Sequence, residues 1–555
     1  MRKHLMIFAA ALLVVAIAMP AFAEVEFKYG GSFRARWFAQ DNVFDGTETR
    51  FSPNYNSDDN RNIVDQRLRV FFSFIGSKNL KVVTGFEMGD AIWGQGGNPV
   101  GSSANANFGH NEGANVGGDS VSIEVKTAYV QFNIPNTTTT GIVGLQPMVL
   151  LDSWIVGDDL AGAVFVTKLD PFKITAGYVG GQNGWERRFD SNKLPTTDDT
   201  FNVDDFFVSL DYASGPFKAS LIGFLQYGHD SGVSVDPSTL FTPVRNFTGN
   251  STAFIFGNRQ YQDNYLFDLG FNLTYKVDWL LAYVNFAKNL GSVDLKSNSG
   301  LPATPFGNVG DASPDYTGFM IDAGVTYFCG PWTANIGGFY TSGPEISDNP
   351  SQFDSGYYAD GRAKPFRYLE SKDVEWFTYP LGVQKATSEL IGGGILGEDL
   401  HTVRGYSGTV AGSAIGNPGA AQTVFWRGWY NPQNVWSVTA GGSYQITPTT
   451  KVSASYWYWG TSEEVPVSYI YATQNSDAKF QMSSSIGHEL NFYLDQKIVD
   501  GLTLTLVGAY LFADDAFAPI PTTGYTTLPS NGSGTATKIL ADDAFEVGAR
   551  LQWNF

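Results

Sequence analysis

The chain has 555 residues, of which 15% are aromatic, only 16% are charged and 62 are glycine, and its formal net charge is −19. Average proteins carry about 25% charged residues, so this composition indicates an all-β chain in an unusual solvent and excludes the collagen-like and disordered classes. The acidic balance argues against a nucleic-acid partner. The single cysteine, Cys329, excludes an intramolecular disulfide and a zinc site made of cysteines.

Residues 1–23 form a predicted signal peptide. Basic residues at 2–4 precede an apolar run at 5–19, and Ala21-Phe22-Ala23 has the small-x-small pattern of a cleavage site. The apolar run is shorter than the roughly 20 residues that a membrane-spanning helix needs. We therefore expect export and cleavage before Glu24, which gives the mature chain a net charge of −21 because two basic residues leave with the peptide.

Segments of alternating apolar and polar residues follow one another along the rest of the chain. In the clearest segment, Tyr265, Phe267 and Leu269 alternate with the polar residues Asn264 and Asp268. Such alternation predicts half-buried β-strands. The predicted strands are 26–39, 63–75, 80–90, 121–133, 141–149, 161–168, 172–180, 203–213, 217–228, 263–276, 279–290, 316–328, 332–341, 434–445, 450–460, 484–496, 502–513 and 543–555.

The connections between these segments alternate between short turns and long polar loops. Eight short turns and nine long loops predict 18 strands, with both termini on the short-turn side; because 141–149 and 161–168 are short, 16 strands is the alternative. This rhythm is typical of a transmembrane antiparallel up-and-down β-barrel. The sequence thus predicts one all-β barrel over residues 24–555, with a long extracellular loop at about 342–433.

Aromatic residues stand beside the predicted short turns. They lie at one level and predict an aromatic girdle at the periplasmic membrane interface. Its members are Phe172, Phe217, Trp279, Trp332 and Phe555. Trp457 and Trp459, near the other strand ends, are candidates for the outer girdle.

The last strand carries the most specific pattern in the chain. Phe545, Val547 and Ala549 begin an apolar alternation that continues to Trp553 and the terminal Phe555. This segment resembles the C-terminal strand of Gram-negative outer-membrane porins. The resemblance implies an outer-membrane location. It also implies that the barrel-assembly machinery recognises the final strand. The strand number of 18 resembles that of substrate-selective channels more closely than that of general porins.

Charged residues of the strands are expected on the inner face, because charge on the lipid face costs about 2–4 kcal/mol at mid-bilayer. Parity then predicts a basic wall and a neighbouring acidic wall. The basic wall comprises Arg34, Arg36, Arg67, Arg69 and Arg550, and the acidic wall comprises Asp65, Glu87 and Asp90. Two interpretations stay open: a charged constriction that selects anions, or a self-satisfied ladder of ion pairs.

Two further features concern local structure. Strand 121–133 breaks parity, because Glu124 and Lys126 share a side with Val130, and a β-bulge would reconcile the pattern. Loop 342–433 carries too much aromatic surface for a solvated coil, so we expect it to fold on itself, cap the mouth or enter the lumen.

Together these patterns predict a porin that lets small hydrophilic solutes or ions diffuse through a water-filled lumen. The alternative is a barrel that serves as a structural sheath for a partner such as a cytochrome, or as an adhesion protein. No catalytic motif is present, so the sequence predicts no enzymatic activity, no cofactor and no metal site. The expected partners are outer-membrane lipid, lipopolysaccharide, the assembly machinery and solutes, with a homotrimer among the oligomeric alternatives.

Overall fold

The computed structural model describes nine stretches of the chain. These are residues 25–41, 61–93, 123–180, 203–228, 259–297, 313–343, 434–470, 479–517 and 543–555, with short segments at 362–364, 366, 370–371, 387–392, 395 and 537–538. The predicted signal peptide lies outside the described residues. None of the helical structure in these stretches is long and apolar enough to span a membrane.

Eighteen long strands form within the described residues, and each has the alternating pattern that the sequence shows. They are β1 (Glu26–Asp41), β2 (Arg61–Ser77), β3 (Leu80–Ile92), β4 (Ile123–Asn133), β5 (Thr139–Leu150), β6 (Val156–Leu169), β7 (Phe172–Gly180), β8 (Val203–Ser214), β9 (Phe217–Gly228), β10 (Arg259–Val277), β11 (Leu280–Ser297), β12 (Phe319–Cys329), β13 (Trp332–Thr341), β14 (Trp436–Thr447), β15 (Thr450–Ile470), β16 (Lys479–Val499), β17 (Leu502–Ala513) and β18 (Ala544–Asn554).

Each strand pairs with its sequence neighbours in antiparallel register, and β18 pairs with β1 to close the sheet. The closing register places Arg36 opposite Arg550 and Trp37 opposite Ala549. Closure pairs the backbone of both edge strands, which is required of a sheet that lies in hydrocarbon. The predicted all-β, 18-stranded barrel is therefore confirmed, and the 16-strand alternative is wrong.

The two rims of the barrel differ in their connections. All eight short turns lie on one rim, here called the short-turn rim, and the longer connections lie on the other, the long-loop rim. Two long-loop connections are shorter than predicted. Only the turn 151–155 separates β5 from β6, and the strands of the β15–β16 hairpin continue to Ile470 and Lys479. Polar residues can form a hairpin that extends beyond the membrane surface. The polar sequence of this hairpin was therefore wrongly predicted to be a loop.

The outer surface is apolar, whereas polar side chains point inward. In β10, Leu269, Phe271 and Leu273 are between 42% and 45% exposed, while Asp268, next to Leu269, is 0% exposed. The predicted bulge in β4 is confirmed, since Gly85 of β3 pairs with Thr127 and Phe86 pairs with Val125, which leaves Lys126 unpaired in the register. An apolar outer belt around a polar inner face defines a transmembrane β-barrel.

The predicted girdle residues lie exposed on the outer surface beside the short-turn rim. Each of the four next to a turn packs against a tyrosine on a neighbouring strand, which the sequence analysis did not anticipate. The ring centroids are 5.3 Å apart for Phe172 and Tyr212, 4.8 Å for Phe217 and Tyr275, 6.1 Å for Trp279 and Tyr327, and 4.2 Å for Trp332 and Tyr444, and Phe555 lies 4.7 Å from Trp553. Their contact with a membrane interface stays a prediction.

Aromatic rings pack over glycines of the neighbouring strand. This packing explains why the chain is rich in both residue types. A Cβ atom on Gly324 of β12 would lie 2.6 Å from the ring of Tyr283 in β11. The Tyr283 hydroxyl in turn donates to Asp322 Oδ1 at 3.1 Å. The ring therefore fills the space that a side chain at position 324 would take.

We expect Gly324→Ala to lower the free energy of unfolding by about 1–3 kcal/mol, because the new methyl group overpacks this site. The matched control is Gly508→Ala, since a Cβ there meets nothing within 4 Å. Thermal unfolding of the folded barrel in detergent measures both. Equal midpoints for the two variants would contradict the packing argument.

Candidate functional site: the barrel lumen

The five predicted arginines lie on the inner faces of three adjacent strands, β18, β1 and β2. Arg36 pairs in register with Arg550 on one side and Asp65 on the other, and Arg34 pairs with Arg67. Arg34, Arg36 and Arg67 are buried, with Arg36 only 1% exposed, and Arg69 and Arg550 are half-buried. Closure of the barrel thus brings residues from both ends of the chain into one basic wall.

Two carboxylates lie within this wall rather than across from it. Asp65 accepts from Arg36 Nε at 2.9 Å and from a second guanidinium nitrogen, and both side chains are fully buried. Glu87 pairs with Arg69 and lies 3.7 Å from Lys126 Nζ. These contacts match the ion-pair ladder foreseen as one of the two interpretations. The side chain of Asp90 lies outside the described residues.

A second set of carboxylates lies half a barrel away from β1. Asp205 in β8, Asp268 in β10 and Asp322 in β12 point inward and are at most 2% exposed. Asn289 donates to Asp268, and Asn285 Nδ2 donates to Asp322 at 3.2 Å. The expected acidic wall on β3 is thus accompanied by an acidic wall on β8, β10 and β12, here called the far wall.

The sequence analysis did not assign the far wall, although one signal for it was present. The alternation in β10 already placed Asp268 on the polar face of its strand. What was missing was the position of β10 relative to β1 around the barrel. That position follows only once 18 strands are closed, because nine strand positions then separate β1 from β10.

The turn 151–155 between β5 and β6 lies inside the barrel against the far wall. Trp154 Nε1 donates to Asp322 Oδ2 at 3.0 Å, and Asn285 Nδ2 donates to Asp152 Oδ2 at 2.9 Å. Leu151, Asp152 and Ser153 have φ values of 54°, 50° and 69°. Three successive non-glycine residues in the left-handed region are costly, so these contacts must hold the turn in place.

A segment of the predicted long loop also lies inside the barrel, at residues 387–392 and 395. Its turn wraps the carboxylate of Glu489 in β16. The backbone N–H groups of Leu390 and Ile391 donate to this carboxylate at 2.9 and 3.2 Å, and Ser388 Oγ donates at 2.8 Å. Trp459 Nε1 donates to it at 3.2 Å. Glu489 is 0% exposed, so one buried carboxylate holds the segment through several charge-assisted hydrogen bonds.

The two inserts and the inner wall share one apolar cluster. Leu151, Trp154 and Ile155 of the turn belong to the same buried cluster as Leu390 and Ile391 of the loop segment. Of the three alternatives expected for the long loop, this described segment follows entry into the lumen. The two inserts narrow the lumen from different sides.

Two tryptophans expected in the outer girdle contribute to this cluster instead. Trp457 and Trp459 are 2% and 0% exposed and stack with ring centroids 5.1 Å apart inside the barrel. The outward residues of β15 at this level are Tyr456 and Tyr458, so the assignment of the tryptophans to the outer surface was wrong. Tryptophan occurs both in buried cores and at membrane interfaces. The presence of tryptophan therefore did not show which face of the strand points inward.

Within the described part of the chain, no group of three histidine, cysteine, aspartate or glutamate side chains could hold a metal ion. The lumen presents fixed positive groups on β18, β1 and β2 and carboxylates with amide partners on β8, β10 and β12. Such an arrangement binds solutes through charge and hydrogen bonds.

Comparisons with known proteins find similar chains among solved structures. No protein-family model and no curated protein matches the chain. Among solved structures, the outer-membrane protein OpdK of Pseudomonas aeruginosa is 9% identical, with a TM-score of 0.43, over 96% of this chain and 98% of that one. Acinetobacter baumannii OccAB3 is 12% identical, with a TM-score of 0.44, over 96% and 99%. A BenF-like porin from Pseudomonas fluorescens Pf-5 is 9% identical, with a TM-score of 0.45, over 96% and 98%.

Proposed function

We propose that the chain forms a passive diffusion channel for small hydrophilic solutes in the outer membrane of a Gram-negative bacterium. The observation that carries this proposal is the pair of opposed walls inside a closed barrel. Arg34, Arg36 and Arg67 stand on one side of the lumen, and Asp268 and Asp322 stand on the other. The rim with short turns then faces the periplasm, as in other barrels of this class.

The opposed walls create a transverse electric field in the lumen. A dipolar solute aligns its negative end with the arginine side and its positive end with the far wall. Asp65 and Glu87 neutralise part of the basic wall through their ion pairs, and the five arginines of the wall outnumber its three described carboxylates, Asp65, Glu87 and the buried Glu546 of β18. We therefore expect a preference for anions, with weak contacts at several places that let the solute leave again.

The test is single-channel recording of the refolded mature protein in a planar bilayer under a salt gradient. We expect stable conducting steps and a reversal potential of the sign that indicates anion preference. Cation preference would contradict the role of the arginine wall. Folded protein that does not conduct would contradict the channel itself and would favour the sheath alternative, in which the lumen opens only around a partner.

The orientation in the membrane has its own test, because the single cysteine marks one rim. Cys329 is exposed and ends β12 at the short-turn rim. We expect a large membrane-impermeant maleimide to leave it unlabelled in intact cells and to label it once the outer membrane is permeabilised. The control is Ser102→Cys in a Cys329→Ser background, which places the thiol in the β3–β4 connection and should label in intact cells. The reverse pattern would contradict the orientation.

The remaining partners belong to the same proposal. The last strand, which ends at Phe555, would be read by the barrel-assembly machinery, and the outer surface would contact lipid and lipopolysaccharide. A homotrimer is the alternative to a monomer. The mass of the detergent-solubilised protein from light scattering distinguishes these two states. The proposed activity is transport, without an enzymatic step.

A further inference from the structure

Lysines lie beside the short turns on the inner faces of many strands. They point into the mouth of the barrel, because they share strand parity with the buried inner residues and alternate with the outward aromatic residues. For example, Lys218 follows the outward Phe217, and Lys173 follows Phe172. These lysines are therefore not placed to contact the lipid head groups that surround the barrel.

Four of these lysines form an arc over β6, β7, β9 and β10, here called the lysine arc: Lys168, Lys173, Lys218 and Lys276. The register places Lys168 directly opposite Lys173. It places Lys218 opposite Thr274, so that Lys276 is its diagonal neighbour on the same face. Directly opposed or diagonal like charges lie roughly 5–8 Å apart and repel each other in a sheet.

The carboxylates near the arc offset only part of this repulsion, at Lys173. Asp211 on β8, between the two lysine couples, lies 3.0 Å from Lys173 Nζ and also accepts from Ser220 Oγ. Asp170 and Asp278 lie in the adjoining turns, and neither forms an ion pair with a lysine of the arc in the described structure. Lys168, Lys218 and Lys276 are exposed and stand without a carboxylate partner among the described residues.

Of the lysines elsewhere on this rim, Lys28, Lys451 and Lys497 are paired, whereas Lys78 and Lys81 beside the β2–β3 turn form no ion pair in the described structure. Lys28 lies 3.1 Å from Glu26, Lys451 lies 2.9 Å from Asp495, and Lys497 contacts Asp500. The hydrogen bond from Lys497 lowers the pKa of Asp500, as expected for a stabilised carboxylate. Among the described residues of this rim, lysines without an ion pair are thus most numerous in the arc, which holds three of them, on a chain whose overall charge is −19.

We propose that the lysine arc is a binding site for a soluble multivalent oxyanion, of the phosphate or polycarboxylate class, at the periplasmic mouth. Each couple of lysines presents two ammonium groups at a spacing that one oxyanion group can bridge, and binding removes the repulsion within the couple. This inference uses the orientation given by the proposed function and goes beyond passive diffusion. An anion in this site lies on the exit path, so it would slow the flow of other anions.

The test is current block by inorganic pyrophosphate added to one side of oriented channels in a neutral phosphatidylcholine bilayer. The periplasmic side is identified by reaction of Cys329 with an impermeant maleimide. We expect block at lower pyrophosphate concentration from the periplasmic side than from the other side. We also expect K168Q/K218Q/K276Q to raise the half-blocking concentration at least severalfold. The matched control, K28Q/K451Q/K497Q, removes the same charge from the paired lysines of the same rim and should leave block unchanged.

Each other outcome overturns the proposal. Equal block from both sides, or equal effects of the two triple variants, would show that pyrophosphate acts through general charge rather than through the arc. Loss of block when phosphatidylglycerol replaces phosphatidylcholine would show that lipid phosphate, not a soluble anion, occupies the lysines. Calorimetric titration of the detergent-solubilised barrel with pyrophosphate tests binding separately, so a channel that does not conduct would contradict the proposed function without deciding this site.

Discussion

Replacing Glu489 with glutamine should raise the single-channel conductance severalfold and make the open level fluctuate. The glutamate carboxylate accepts from the backbone of Leu390 and Ile391 and from Ser388, and an amide cannot accept all of these bonds. Each hydrogen bond to a charged group contributes about 1.5–3 kcal/mol, so the loop segment should leave the lumen for part of the time. Recording in a planar bilayer measures both the mean conductance and its fluctuation.

Two further variants separate release of the segment from damage to the barrel. Ser388→Ala removes one anchor from the loop side and should produce a smaller change in the same direction. Asp495→Asn removes a charge from the same strand and the same inner face but does not touch the segment, so it should conduct like the parent. Heat-modifiable migration in gels verifies folding of each variant. A folded E489Q channel with the parent's conductance would show that the segment does not limit the pore.

Replacing Arg34 and Arg67 together with glutamine should shift the reversal potential toward cations and lower the ratio of anion to cation permeability severalfold. The two residues face each other in register on the inner surface, and both are among the buried groups of the basic wall. Removing them leaves the far wall as the main source of field in the lumen. Reversal potentials under a salt gradient give the permeability ratio directly.

The control for this pair is R34K/R67K, which keeps both charges and should retain anion preference. If R34Q/R67Q conducts with an unchanged permeability ratio, the arginines serve only as structural ion-pair partners, and selectivity must arise at the mouths.

The strands were predictable because membrane burial imposes the same simple rule on each of them. All 18 predicted segments correspond to observed strands, including the short pair β5 and β6. Parity identified the inward arginines, and its failure at Lys126 located a bulge. In these places the local sequence and the overall fold require the same alternation of residues. The inward face of one strand can therefore be predicted without knowledge of its neighbours.

Long-range arrangement was not predictable in the same way. The far wall depends on which strands face each other across the lumen, and the place of Trp457 depends on an insert from the loop more than 60 residues earlier, whose Thr387 carbonyl accepts from its indole. The alternation of β15 would fit either face, because Tyr456 and Tyr458 are as aromatic as the tryptophans. Inserts that fold back into a barrel leave no periodic signal in the sequence.

The turn 151–155 and the segment 387–392 are tethered to different strands by separate contacts, Asp322 in one case and Glu489 in the other. Neither tether includes a residue of the arginine wall. Asp322 serves both as a charge of the far wall and as the tether of the turn, whereas Glu489 belongs to neither charged wall, so the position of the loop segment and the charge of the arginine wall are encoded by separate residues. Homologous channels could diverge in the size of molecule they admit while keeping their charge preference, or change that preference without rebuilding the constriction.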